Sequence, residues 1–271
     1  MKNALTLDMA ATGKLISTIG QGVFAADLSA ALKEIAAFEY MVVFGYLGSR
    51  RPLDLYDDFP RGKRKIFVED YQEGPYLLDP YYTATTKPTE SGLYRLRDLA
   101  PDRFYQGEYF RSYYIQTGLA EEIAFLINLP EGAVVTVSLM RTAKAFSARE
   151  MREMRKYLPV VLAACRKHWN DLALNFSAPL EPVSEKGSDR SLELALREFG
   201  KGLLTPRERE VVEFTLKGHS AVAVGEILDI SPGTVRIHRR NIYSKLRIRS
   251  QGELFSGFIE TMLKSAGRRG V

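Results

Sequence analysis

The spacing of apolar and polar positions divides the chain into two unlike parts. In residues 5–20 and 28–38 the apolar side chains recur at helical intervals, and both stretches are expected to be helices. Tyr40–Leu47 (Y-M-V-V-F-G-Y-L) is a dense run of β-branched and aromatic residues and predicts a strand. Gly48-Ser49-Arg50-Arg51-Pro52 makes a turn, and residues 53–59 return as a second strand. Residues 122–129 and Ala133–Arg141 predict another strand pair, joined by Pro130-Glu131-Gly132. A long helix follows. Ser147 and Glu150 stand at capping-box spacing, and Phe146 and Met151 can staple its start. Leu158, Val161, Leu162, Cys165, Trp169 and Leu172 then repeat at roughly helical spacing, a stripe that fits either a core face or a seam with a second copy. Pro159 lacks an N–H and crowds the preceding turn, so it is expected to kink or restart the helix. This order predicts a small α/β sandwich-like domain whose antiparallel sheet is covered by helices on at least one face.

Residues 177–191 (S-A-P-L-E-P-V-S-E-K-G-S-D-R-S) are rich in Ser and Pro with mixed charge, the composition of a linker. The expected organisation is a domain at 1–175, a linker at 176–191 and a second domain at 192–271. Leu192, Ala195, Leu196 and Phe199 are spaced as one face of a short leading helix. Thr205-Pro206-Arg207-Glu208 is a second capping box with Pro at the first helical position, and Gly218 can end that helix in a left-handed turn. Ser220 starts a short helix with Val224, Ile227 and Leu228 as its expected core face. Asp229-Ile230 is a tight connection, and Ser231-Pro232 opens a third helix. Two short helices, a turn and a basic third helix predict a helix-turn-helix. The fold class expected is α+β: the sandwich-like domain plus an all-α, four-helix C-terminal domain.

At 100° per residue Val235, Ile242 and Leu246 share one arc of the third helix and should anchor it. The opposite arc carries Arg236, Ile237, Arg240, Asn241 and Ser244. From Arg236 to Arg249 there are six Lys/Arg and no Asp/Glu. Such a helix suits duplex DNA, with Arg236 and Arg240 reaching guanine edges and Ile237 a thymine methyl. Arg239 and Lys245 lie off this arc and are expected at phosphates, with Thr205, Ser231 and Thr234 at helix starts adding phosphate contacts. His238 points toward the buried side.

Charge distribution agrees. The net charge of the 271 residues is +5. Residues 201–271 hold 13 Lys/Arg against 7 Asp/Glu, so the basic footprint belongs to the C-terminal part. A single cysteine, Cys165, excludes an internal disulfide and fits a cytoplasmic protein. The first 15 residues lack the basic start and apolar run of a signal peptide, and no apolar stretch approaches the ~20 residues of a membrane span. His168, His219 and His238 have no metal-ligand spacing, and no phosphate loop or nucleophile elbow is present, so neither catalysis nor a metal or cofactor is expected.

The pieces Leu204-Thr205-Pro206-Arg207-Glu208, Gly218-x-Ser220, Leu228-x-Ile230-Ser231 and Thr234-Val235-Arg236-x-His238-Arg239-x-Asn241-Ile242-Tyr243-x-Lys245-Leu246 resemble the LuxR-type helix-turn-helix shared with NarL-like regulators. The resemblance implies that the third helix reads DNA, with positions matching Arg236, Ile237 and Arg240 at the bases, and that a fourth helix, about 251–263, mediates dimerisation. One departure lies in the second helix, which reads Ala221-Val222-Ala223-Val224-Gly225 where polar residues are usual. Gly225 is expected to weaken it by roughly 1 kcal/mol.

Ten of the 14 tyrosines fall between Tyr56 and Tyr114, interleaved with Asp54, Asp57, Asp58, Glu69, Asp70, Glu73 and Asp79. These rings fit hairpin cross-strand pairs, or a cavity on which a few polar groups converge. Tyr71-Gln72-Glu73-Gly74-Pro75-Tyr76-Leu77-Leu78-Asp79-Pro80 resembles the run of a Tyr followed by Asp-Pro in the autoinducer-binding domain, and more broadly the region is similar to GAF/PAS-like sensor domains. That resemblance implies that Asp79 bonds a ligand amide and that Tyr71 lines the pocket; Asp-Pro is also a common turn opener. The expected ligand-binding residues are Tyr56, Tyr71, Asp79, Tyr105 and Phe110. The pocket tryptophans of that family are missing, Trp169 being the only Trp, so an amide-bearing or cationic effector is expected rather than an acyl-homoserine lactone. A phosphorylated receiver domain is not expected, because Asp57-Asp58 follows the second strand rather than the first. The whole reads as a cytoplasmic, homodimeric, ligand-responsive regulator of transcription that binds double-stranded DNA. The alternative is a DNA-binding regulator whose N-terminal domain is a protein-interaction platform without a small ligand.

Overall fold

In the computed structural model the described residues are 9–112, 114–176, 196 and 198–267. The expected linker at 177–191 lies outside them, as do Leu192 and Ala195. In chain order the principal elements are α1 (Met9–Ser17), α2 (Phe24–Ile35), β1 (Tyr40–Leu47), β2 (Leu53–Asp57), α3 (Pro80–Thr85), β3 (Gly92–Arg95), α4 (Glu108–Ser112), β4 (Glu121–Asn128), β5 (Ala133–Arg141), α5 (Ala148–His168), α6 (Pro206–Lys217), α7 (Ala221–Leu228), α8 (Pro232–Leu246) and α9 (Gln251–Gly267). Contacts group them into two units. The first comprises Met1–Arg64, Lys87–Asp98 and Leu119–Ser184; the second comprises Lys65–Thr86, Leu99–Gly118 and Glu185–Val271.

The first unit is built on a five-stranded antiparallel sheet in the order β2-β1-β5-β4-β3. Successive side chains of a strand point to opposite faces. One face presents Met41, Val43, Ile123, Phe125, Val135, Val137 and Leu139 to α1, α2 and α5, all buried in one cluster. Helix α2 contributes Phe24, Leu28, Leu32 and Ile35, the spacing of one helical face. Helix α5 starts at the expected capping box. Ser147 accepts from the Glu150 amide at 3.2 Å, and the Ser147 amide donates to Glu150 at 2.7 Å. Arg141 on β5 also donates to Glu150, at 2.7 and 3.2 Å. These bonds hold the Glu150 carboxyl at about 2, the Arg141 guanidinium contributing most. Pro159 does not restart the helix: α5 runs from Ala148 to His168 with the proline inside it. Pro159 and Arg155, the residue whose carbonyl loses its partner, are both exposed, so water can satisfy that oxygen.

The other face of the sheet is buried too, and it is polar in places. Register puts Val42, Ser138, Ala124 and Tyr94 in one row and Asp54, Phe44, Thr136 and Leu126 in the next. Met140 and Glu122 are paired on the same face. Glu122, Thr136 and Ser138 are all buried.

In the second unit α6–α9 form the four-helix C-terminal domain. Thr205 and Glu208 close the capping box at 2.8 and 3.2 Å. Gly218 (φ +93°) ends α6, Ser220 caps α7, and Ser231 caps α8 at the Thr234 amide. Val211, Val212, Leu216, Val224, Val235, Ile242, Leu254 and Phe258 make its core. Two expectations for α7 are corrected. Ile227 is 48% exposed rather than core. Gly225 is a packing requirement rather than a weak point: a Cβ there would lie 2.6 Å from the Ile230 carbonyl oxygen. Only a glycine lets α7 approach the turn that launches α8 this closely.

Candidate nucleic-acid interface and sensor residues

Helix α8 carries the candidate interface. Val235 and Ile242 are fully buried and fix its rotation. Arg236, Ile237, Arg240, Asn241 and Ser244 are all exposed on the opposite side. A 51% exposed isoleucine between two arginines has no folding role to fill, and the exposure of this arc is what the helical projection of the sequence predicts. The Ser231 and Thr234 hydroxyls are 2.8 Å apart and knit the cap together.

Arg239 and Lys245 depart from expectation. Both were expected at phosphates; both are committed within the domain. Arg239 donates to Thr215 Oγ1 at 3.1 Å and to the His219 carbonyl at 3.0 Å, tying α8 to the end of α6. Lys245 pairs with Glu208 at 2.6 Å. Burial pushes the Glu208 carboxyl up, but hydrogen bonds from Lys245 and Thr205 outweigh it and hold the group below its usual range. Thr205 spends its hydroxyl on the α6 cap. His238 is half-buried, on the flank of the helix.

The expected sensor residues separate into groups. Asp79 and Tyr71 meet: the Tyr71 hydroxyl donates to Asp79 Oδ2 at 2.8 Å, and the Tyr81 amide donates to Oδ1 at 2.8 Å. Asp79 is therefore the N-cap of α3, so its turn-opening role is real. Burial raises its carboxyl to about 6, against the lowering effect of those two bonds. Tyr71 and Tyr76 lie 6.1 Å apart, and Tyr76 meets Tyr82 edge-on at 5.0 Å. Tyr105 and Phe110 belong to a second cluster around Phe104, at 5.4 and 5.8 Å from that ring. Tyr105 is 46% exposed, so it is an outer ring and not an enclosed wall. Tyr56 lies apart from both clusters. A bulge between Val43 and Phe44 pairs it with Val43, and its ring packs on the helix-side core, away from the polar sheet face.

The acidic residues near β2 are largely engaged. Asp58 accepts from the Met41 amide at 2.6 Å and from Lys33 at 3.2 Å, while Arg64 bridges Asp54 and Asp57. Asp54 Oδ1 is buried without a hydrogen-bond partner among the described residues. Sequence reading missed Glu122, Thr136 and Ser138, because only strand register reveals that they share the buried face with Asp54. Among the described residues no group of His, Cys, Asp and Glu could hold a metal ion, and no helix is long and apolar enough to cross a membrane.

Residues 202–256 match the model of the luxR family of bacterial regulatory proteins (GerE). A helix-turn-helix transcriptional regulator from the exeN 3′ region of Aeromonas salmonicida is 30% identical over 190 residues, covering 68% of this chain and 95% of that protein. The chain belongs to the luxR family. It is thus a transcriptional regulator and not an enzyme. A second relative is the monoamine regulon transcriptional regulator of Klebsiella aerogenes, 26% identical over 193 residues and covering 70% of each chain. The VqsR LBD domain of Pseudomonas aeruginosa shares the fold: TM-score 0.51, 23% identity, 62% of this chain and 97% of that one. The match at 202–256 spans the capping box, the exposed arc and the start of α9, so the helix-turn-helix of this luxR-family chain is the one built on α7 and α8.

Proposed function

We propose that this regulator binds promoter DNA as a homodimer through α8, under the control of a small molecule held in its N-terminal region. The observation that carries the DNA half is the exposed arc Arg236, Ile237, Arg240, Asn241 and Ser244 on a helix locked by Val235 and Ile242. The effector half rests on the buried Tyr71–Asp79 pair. A carboxyl raised by burial keeps a strong acceptor in an apolar setting, suited to an amide N–H or an amine. A relative that governs a monoamine regulon supports an amine, a cation at neutral pH. The fold shared with the VqsR LBD domain supports a sensor role for the same region.

The rival reading, an N-terminal platform for another protein, is favoured by one observation: both Asp79 oxygens already have internal partners. Thermal-shift screening with primary amines and small amides separates the two, since a ligand bound only by the folded state raises the melting temperature. Under the effector reading one compound class shifts the wild type and not Asp79→Ala. No shift with any compound favours the platform, and equal shifts in both forms would keep an effector but place it away from Asp79.

A further inference from the structure

We propose that residues 101–110 form an internal clamp on the DNA-binding domain, and that duplex DNA must open it. Two backbone amides make the clamp. The Arg103 amide donates to the Gly218 carbonyl at 3.0 Å, and the Ser220 amide donates to Asp102 Oδ1 at 3.0 Å. These bonds take both sides of the α6–α7 turn. The turn is shaped for the purpose. Gly218 is left-handed, and a Cβ on it would lie 2.8 Å from Phe104 Cα, so a side chain here would push the clamp off. Phe104 itself is 1% exposed. Glu108 adds a second point of contact: a Cβ on Gly252, in the first turn of α9, would touch its carboxylate at 3.4 Å.

The position of Asp102 makes the clamp a competitor for DNA. In a helix-turn-helix the first helix of the pair crosses the DNA backbone, and here that helix is α7. Its N-terminal amides and positive dipole end are the groups a phosphate uses. Asp102 already fills the Ser220 amide with a carboxylate, and it lies within electrostatic range of Arg239 on α8. A phosphate arriving there meets an occupied donor and a like charge. Clamp closed and backbone engaged at α7 are therefore alternatives.

The test uses the full chain and a mixed-sequence duplex, with binding followed by fluorescence anisotropy. Asp102→Ala removes the acceptor and the charge and should bind about tenfold tighter, the weight of one hydrogen bond to a charged group. Asp102→Asn keeps an acceptor without the charge and should fall between wild type and Asp102→Ala. Hydrogen exchange at the Arg103 amide supplies a readout that does not depend on any variant folding. It should quicken when DNA is added to the wild type. An Arg103 amide that stays protected in the DNA complex overturns the clamp, as does an Asp102→Ala variant with unchanged or weaker binding. Failure of every form to bind any duplex would overturn the DNA-binding reading along with it, so the two failures are distinguishable.

Discussion

Gly225→Ala sets helix propensity directly against packing. Alanine is better than glycine in a helix interior by ~1 kcal/mol, so propensity alone makes the variant more stable. The structure requires the reverse. The new Cβ would sit 2.6 Å from the Ile230 carbonyl oxygen, about 0.8 Å inside ordinary carbon–oxygen contact. Both sides of that contact are backbone, so no rotamer change relieves it. The Ile230 amide also donates to the Gly225 carbonyl at 2.9 Å, and parting α7 from the turn strains this bond as well. Overpacking of this kind costs ~1–3 kcal/mol, and a strained hydrogen bond adds up to about 1 kcal/mol. Set against the propensity gain, the net is a destabilisation of up to about 3 kcal/mol confined to the helix-turn-helix. Urea unfolding by far-ultraviolet circular dichroism gives the size, and hydrogen exchange of the Ile230 and Val235 amides gives the place. Trp169 lies in the other unit, and its fluorescence should unfold unchanged. A Gly225→Ala protein as stable as wild type, or more so, refutes the packing argument.

Arg240→Ala should lose ~1–3 kcal/mol of specific DNA binding and relax preference at one base position, checked by binding to a set of single-base operator variants. Arg239→Ala should instead lower the stability of the C-terminal domain and weaken binding alike on every sequence, because its guanidinium holds Thr215 and the His219 carbonyl; a base-specific loss would return it to the groove. Asp79 has a folded pKa raised to about 6, so its contribution to stability is fully present below the unfolded value and lost as pH rises through 6. Asp79→Asn keeps a capping oxygen without the charge and should flatten the stability–pH curve by on the order of 2–3 kcal/mol between about pH 4 and 7; parallel curves for the two proteins would sink this. His168 accepts the Gly20 amide at Nδ1, 2.9 Å away, and burial lowers its pKa, so stability is undiminished above the unfolded value and falls as pH drops from there through the folded one. Its ring lies 4.8 Å from Trp169, whose fluorescence should titrate with a midpoint below that of a free histidine, and a midpoint at or above it would contradict the burial.

What could be read from the chain without coordinates, and what could not, divides along a physical line. Both capping boxes, Ser147/Glu150 and Thr205/Glu208, form as expected, because a cap is settled within four residues. β1 and β5 keep their expected bounds, since dense β-branched runs end where Gly or Pro intervenes. The exposed arc of α8 follows from Val235 and Ile242 through helical geometry alone. Errors arise wherever the deciding partner is distant. Arg239 and Lys245 look free on a helical projection, yet Thr215, His219 and Glu208 on another segment claim them. Leu55, skipped in the β1–β2 pairing, moves Tyr56 to the opposite face, and no local pattern announces a one-residue bulge. Thr136 and Asp54 share a row only because β1 lies between β2 and β5. The arc proposed to meet DNA is displayed by one helix and is therefore legible. The chemistry proposed to meet an effector rests on Tyr71 and Asp79, and their hydrogen bond depends on how the intervening turn folds, which the run of residues alone leaves open.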